Sequence, residues 1–242
     1  MARFLKHTSC PECGSSDAKA LYDDGSSFCF SCKFATRASL SGLLAKSTNS
    51  NREQQGSLSK RTNPPDDLCS HFSGPALEWL TKYGLDIEDL IKHHVRFSPS
   101  TGRIYFTFPG TALWQARTVS PKKYFTSGGH TDILPIYYCG KPVDRVVVVE
   151  DCVSAIKIAS AGRLIGLWSD AMPLLGTHLP TEKMKGLQRL YSRVDVWLDH
   201  DKGKEALKTS NRLKLIGLES KVYFTEKDPK EHTYDELRNK LL

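Results

Sequence analysis

From Asp144 onward, short apolar runs near residues 145–150, 163–168, 193–198 and 220–225 alternate with stretches of helical spacing near 151–161, 181–191 and 202–217. That rhythm predicts parallel strands joined by helices, in a sheet covered on both faces. A further amphipathic helix is expected over Tyr234–Leu242. Between Leu68 and Lys141 the pattern is mixed: Pro75-Ala-Leu-Glu-Trp-Leu and Asp86-Ile-Glu-Asp-Leu-Ile read as helices. Arg103-Ile-Tyr-Phe-Thr-Phe and Ala112-Leu-Trp-Gln-Ala-Arg read as strands of a small antiparallel sheet. Residues 39–67 are rich in Ser, Asn, Gln and Lys, close on Pro64-Pro65, and read as a flexible linker. The chain thus divides into segments 1–38, 39–67, 68–141 and 142–242.

Two of the apolar runs end in carboxylates, Val146-Val-Val-Val-Glu150 and Trp197-Leu-Asp199-His-Asp201. Parallel strands carry their ends to one edge of a sheet, so Glu150, Asp199 and Asp201 are expected to meet there and to chelate Mg²⁺ through oxygen. A spacing of two puts Asp199 and Asp201 on one side if the backbone stays extended. Asp151 opens the following helix, where the dipole favours an anion. A single strand-end acid is commonly a helix cap; its recurrence on two strands points instead to a metal. Asp228, in Glu226-Lys227-Asp228-Pro229-Lys230-Glu231, either extends the cluster, with Lys227 or Lys230 meeting phosphate, or lies in a solvated turn. Arg117, Lys122 and Lys123, interleaved with Trp114 and Tyr124, suit a triphosphate or a template backbone, or else form a basic surface loop. Lys157, Lys202 and Lys204 read as surface lysines. No G-x-x-x-x-G-K-[ST] phosphate loop is present, which excludes a motor of that class.

Of seven cysteines, Cys10, Cys13, Cys29 and Cys32 form a C-x2-C-x15-C-x2-C pattern, with Asp23-Asp24-Gly25 as a turn between the pairs. Four thiolates close a tetrahedral Zn²⁺ site with no open position, so the metal is expected to be structural, in a ribbon too small to fold without it. Phe28, Phe30 and Phe34, beside Lys33 and Arg37, suit stacking on single-stranded nucleic acid or pack around the ribbon itself. Cys69, Cys139 and Cys152 read as buried small residues. The net charge of +7 and pI near 9.0 favour a polyanionic partner, and 39% hydrophobic residues allow one medium core. No apolar stretch approaches the roughly 20 residues of a membrane span, and a cytoplasmic address is expected.

Taken together, the cysteine quartet, Trp114-Gln-Ala-Arg117 with Lys122-Lys123-Tyr124, Val146–Asp151, Leu175-Gly176-Thr177, Leu198-Asp-His-Asp201 and Lys227-Asp228-Pro229 make the chain resemble the bacteriophage DNA primases. Those proteins join an N-terminal zinc ribbon to a TOPRIM polymerase domain, and the likeness covers nearly the whole chain. It implies an α/β TOPRIM domain preceded by a small α+β subdomain and a β zinc ribbon. It also implies a nucleotidyltransferase that copies single-stranded DNA into a short RNA primer from ribonucleoside triphosphates, in the host cell cytoplasm. By resemblance, Glu150, Asp199 and Asp201 hold Mg²⁺ (or Mn²⁺) with Asp228 as a further match. Arg117, Lys122 and Lys123 contact nucleotide or template, and the ribbon helps select the start sequence. The partners implied are a replicative helicase on a separate chain and a DNA polymerase that receives the primer. Two positions depart from the family: its usual glycine after the glutamate is Asp151, and an acid often found four residues after that glutamate is Ser154. Asp151 is therefore a candidate ligand. The rival readings are a TOPRIM and zinc recombination mediator without catalysis, and a TOPRIM nuclease.

Overall fold

The structure, a computed structural model, describes residues 3–13, 15–32, 34–36, 63–127 and 133–242, in two compact units spanning Met1–Ser57 and Leu58–Leu242. The first unit is one antiparallel sheet in chain order: β1 (Phe4–Thr8), β2 (Lys19–Tyr22), β3 (Ser27–Cys29) and β4 (Ala35–Thr36). The expected turn at Asp23-Asp24-Gly25 joins β2 to β3 in a hairpin. Gly25 takes φ +81° there, a left-handed turn conformation open to glycine, and the Asp24 carboxylate accepts from the Ser26 amide at 2.9 Å. Among the described residues of this unit, the buried apolar side chains are Cys10, Ala20 and Cys29. So small a core cannot hold a fold by hydrophobic burial alone.

The second unit contains two sheets. Helices α1 (Gly74–Thr81) and α2 (Ile87–Lys92) precede an antiparallel meander of β5 (Val95–Ser98), β6 (Arg103–Thr107), β7 (Trp114–Arg117) and β8 (Tyr124–Ser127). A parallel sheet follows, with β9 (Arg145–Val149) between β10 (Asp170–Pro173) and β11 (Arg193–Val196). Its helices are α3 (Cys152–Ile165), α4 (Thr181–Leu190), α5 (Gly203–Leu215) and α6 (Tyr234–Leu241). Alternate residues of β9 feed two cores, as the two-residue repeat of a strand requires. Val147 and Val149 pack with α3, α6 and the α1–β6 region; Val146 and Val148 pack with α4 and α5. The central strand is apolar on both faces because each face is covered.

Several expectations change. The strand expected at 163–168 is the end of α3 and a loop, and the strand itself is β10. Helix α3 runs on because Gly162 leaves room for the Trp168 ring, which would lie 2.4 Å from an added Cβ, and it stops at Gly166 with φ +71°. The run at 220–225 is no regular strand: residues 219–223 follow β11 through isolated bridges at Glu219 and Val222. Strands β5 and β8 were not expected from the pattern. Lys157 is buried, against its reading as a surface lysine, and Cys69 is only half-buried, whereas Cys139 and Cys152 are buried. Most of the expected linker, and Lys33 and Arg37, lie outside the described residues. Its last residue, Asp67, is tied to the meander by bonds from the Ser98 hydroxyl and the Ser100 amide, both 2.8 Å. Among the described residues, no helix is long and apolar enough to cross a membrane.

Candidate active site

In the ribbon, the knuckles at Cys10–Cys13 and Cys29–Cys32 bring four sulfurs within 4.8 Å of one another, with Cys10–Cys32 and Cys13–Cys29 both at 3.8 Å. A tetrahedron with Zn–S bonds of about 2.3 Å has edges of roughly 3.8 Å, so these two distances match edges of a zinc site and the four thiols suit that ion. Around them, Phe30 and Phe34 are exposed and Phe28 is half-buried, its ring edge-on to Phe30 at 5.1 Å.

In the larger unit, the carboxyl ends of β9, β10 and β11 open onto a cavity of about 520 Å³, of the size that takes small ligands. Glu150 enters it as the residue after β9. The loop that leaves β10 folds back there, with the Leu175 amide donating to the Glu150 carbonyl at 3.1 Å, and Leu175 holds φ +58°, a costly value for a residue with a side chain. Asp151 caps α3, accepting from the Ser154 amide at 3.0 Å and hydroxyl at 3.2 Å. Asp199 follows β11 and heads a single 3₁₀ turn, His200–Lys202. Asp228 heads another, Pro229–Glu231, which it closes in a reciprocal capping box.

The site splits its acids by how each is satisfied. The Lys230 ammonium lies 2.8 Å from Asp151, 2.9 Å from Asp228 and 4.0 Å from Asp199. Glu150 Oε2 and Asp199 Oδ1 are buried with no hydrogen-bond partner. Burial raises the Glu150 pKa, helped by Asp151 and Asp201 and opposed by Lys202. Burial also pushes Asp199 up to about 7, with Glu150 and Asp228 adding to it and Lys230 opposing. Burial works to raise Asp228 as well, but Lys230 outweighs it and holds that carboxyl below its ordinary value. For Lys230, burial disfavours the charge, yet Asp151, Asp228 and Asp199 lift its pKa overall.

Asp201 is elsewhere. The backbone is extended at Asp199 but turns from His200, so Asp201 lies within a 3₁₀ turn and not on a continuing strand. It is exposed, paired with Lys202 and absent from the cavity wall. Among the described residues, the cysteines are the only group of three or more candidate ligands brought within 4.8 Å.

The opposite wall is cationic and aromatic. Arg117, at the end of β7, is buried with its guanidinium 3.7 Å from the Trp79 ring centroid and 5.3 Å from that of Tyr124. Lys122 lines the cavity, while Lys123 is exposed outside it. Sequence reasoning missed Trp79, Lys82, Tyr83 and Gln115, which also line it. Gln115 lies within the Trp114–Arg117 segment but was given no role, and Trp79, Lys82 and Tyr83 carry no motif, so that only the packing of α1 and the residues after it brings them in. It left Lys227 and Lys230 as equals; the structure turns Lys227 to Glu236 at 3.5 Å and sends Lys230 inward. Lys157, lowered to about 8 by burial, donates to the Tyr83 carbonyl at 2.6 Å and the Lys230 carbonyl at 3.0 Å.

No family model matches the sequence, and no curated protein matches it. Solved structures match its fold. The primase fragment of the bacteriophage T7 primase-helicase protein is similar over 99% of this chain and 100% of that one, at 17% identity and a TM-score of 0.55. The zinc-binding and RNA polymerase domains of the Aquifex aeolicus primase are similar over 99% of this chain and 80% of that one, at 15% identity and a TM-score of 0.58.

Proposed function

We propose, on the premise that the chain has the zinc-ribbon and polymerase fold of bacteriophage-type primases, that it is a DNA primase of phage replication. It would copy single-stranded DNA into short RNA primers from ribonucleoside triphosphates, through a TOPRIM-type acidic site. The observation that carries the reading is the pair of buried, unpartnered oxygens on Glu150 and Asp199, two residues that line one cavity together with Arg117 and Lys122. Buried carboxylate oxygens without donors are costly unless a cation satisfies them, and hard oxygen donors suit Mg²⁺. Glu150 and Asp199 would hold that ion, with Asp151 and Asp228 beside them; Asp201 could join only after releasing Lys202. Bound there, Mg²⁺ would supply positive charge to the triphosphate during transfer.

The chain's own groups do the positioning. Arg117, fixed against Trp79, and Lys122 draw triphosphate or template phosphates to the acid edge. The primer 3′ hydroxyl attacks the α-phosphorus, pyrophosphate leaves, and base pairing to the template selects the nucleotide. No side chain is needed as a covalent nucleophile. The ribbon, with Phe30 and Phe34 exposed, would bind template bases by stacking. A separate helicase would expose the template and a DNA polymerase would extend the primer.

Ribonucleotide incorporation on single-stranded circular DNA, with and without Mg²⁺, tests this reading. Mg²⁺-dependent short RNA products are expected. Cleavage of the DNA instead would make the protein a nuclease, and binding without either reaction would make it a mediator.

A further inference from the structure

Three carboxylates of this site sit at the head of a helical turn, yet they are used differently. Asp151 accepts from both the Ser154 amide and hydroxyl, and Asp228 closes a capping box, so each spends its oxygens on its own turn and on Lys230. Asp199 heads its turn without any side-chain cap bond, and its Oδ1 is left buried and unpartnered, as is Glu150 Oε2. The cluster is therefore two half-sites: one whose carboxylates the ammonium bonds at 2.8 and 2.9 Å, and one that it only approaches, at 4.0 Å from Asp199, leaving an oxygen of each acid unpartnered.

The ammonium is held from its backbone outward. Lys157, 3% exposed, donates to the Lys230 carbonyl, and Pro229 before it is buried. The Lys230 side chain is 15% exposed and those of Asp151 and Asp228 are 19% exposed, so these contacts are little weakened by water. A lysine that merely reached into the cavity from solvent would have neither anchor.

We propose that Lys230 is a built-in cation that takes the place of a divalent ion between Asp151 and Asp228, so that this site binds one divalent ion, at Glu150 and Asp199. The proposal rests on the acidic site described above but not on its activity. Lys230 is thus a positioning residue: it fixes Asp151 and Asp228 and excludes metal from them. With its ammonium removed, the two carboxylates face each other across the space it filled, and like charges at that separation need a replacement cation.

The test is a titration of the zinc-loaded full chain with Mn²⁺ alone, counting bound ions by electron paramagnetic resonance of the free ion. One Mn²⁺ per chain is expected for the parent protein and for Lys230→Arg, which keeps the charge. Two are expected for Lys230→Met, with Lys230→Gln as the second neutral variant should the first not fold. Asp199→Asn should weaken the single parent site at least tenfold. Two ions in the parent, or still one in the folded neutral variants, would overturn the proposal. Absence of primer synthesis alongside the expected ion counts would sink the functional reading and leave this one standing.

Discussion

In the ribbon, four sulfurs lie within 4.8 Å of one another on a unit that buries little besides two of them. In the larger unit, Glu150, Asp151, Asp199, Asp201 and Asp228 stand on a large core, and no three bring their oxygens that close. Both groups are suited to cations, and the difference follows from what holds each in place. The ribbon's thiols have little core beneath them, so metal binding and folding would be one equilibrium there. The carboxylates are carried by strand ends whose position β9, β10 and β11 already fix. They can remain apart, with a lysine among them, and leave an opening for substrate.

The sharpest way to break this comparison is Cys29→Ser. Zinc is expected to be lost and the ribbon to unfold, since structural zinc in such small units carries apparent binding energies of about 10–16 kcal/mol. The melting transition of the larger unit should persist, because its core clusters contain no ribbon residue. Metal analysis with calorimetry checks both; joint collapse of the two units would end the contrast. Asp199→Ala should do the reverse, retaining zinc while lowering primer synthesis about 10³-fold, the scale of a lost charge-stabilising group. Full activity in that variant would remove Asp199 from the site.

Acid should undo the two units for different reasons. His93 is buried edge-on to Tyr137 at 5.6 Å, and burial pulls its pKa from 6.5 to about 4. Above pH 6.5 the ring is neutral whether folded or not. As pH falls from 6.5 to 4, the unfolded chain takes up a proton that the folded one refuses, and the larger unit loses about 2–3 kcal/mol. In the ribbon, protons instead compete with zinc for thiolate. His93→Phe should flatten the first loss, measured by urea unfolding at pH 7 and 4.5, and leave zinc release unchanged. The smallest effect is expected for Arg117→Lys, which keeps the charge but loses the flat contact with Trp79. The Michaelis constant for nucleotide should rise roughly fivefold, as for one cation–π contact.

The cysteine spacing and the strand-end acids were legible because both are local: a knuckle closes over four residues, and an apolar run that ends in an acid says where a strand stops. The strand misplaced at 163–168 shows the limit. Leu164, Ile165, Leu167 and Trp168 are as apolar as a strand, but Gly162 accepts the Trp168 ring and α3 continues past it. The two departures from the family pattern, Asp151 and Ser154, looked independent in the sequence. They are hydrogen-bonded to each other and joined to Lys230.

Sequence alone therefore determined the cysteine quartet that suits a zinc ion, the parallel layout of the second sheet and the edge of that sheet where the strand-end acids gather. Each depends on residues close together in the chain and on the periodicity of one element. Tertiary structure decided which acids remain without a partner, turned Asp201 away, and set a lysine 79 residues along the chain beside Asp151. Such pairings are fixed by how α1, α3 and the Asp228 turn pack against one another. No spacing along a single strand or helix encodes that distance.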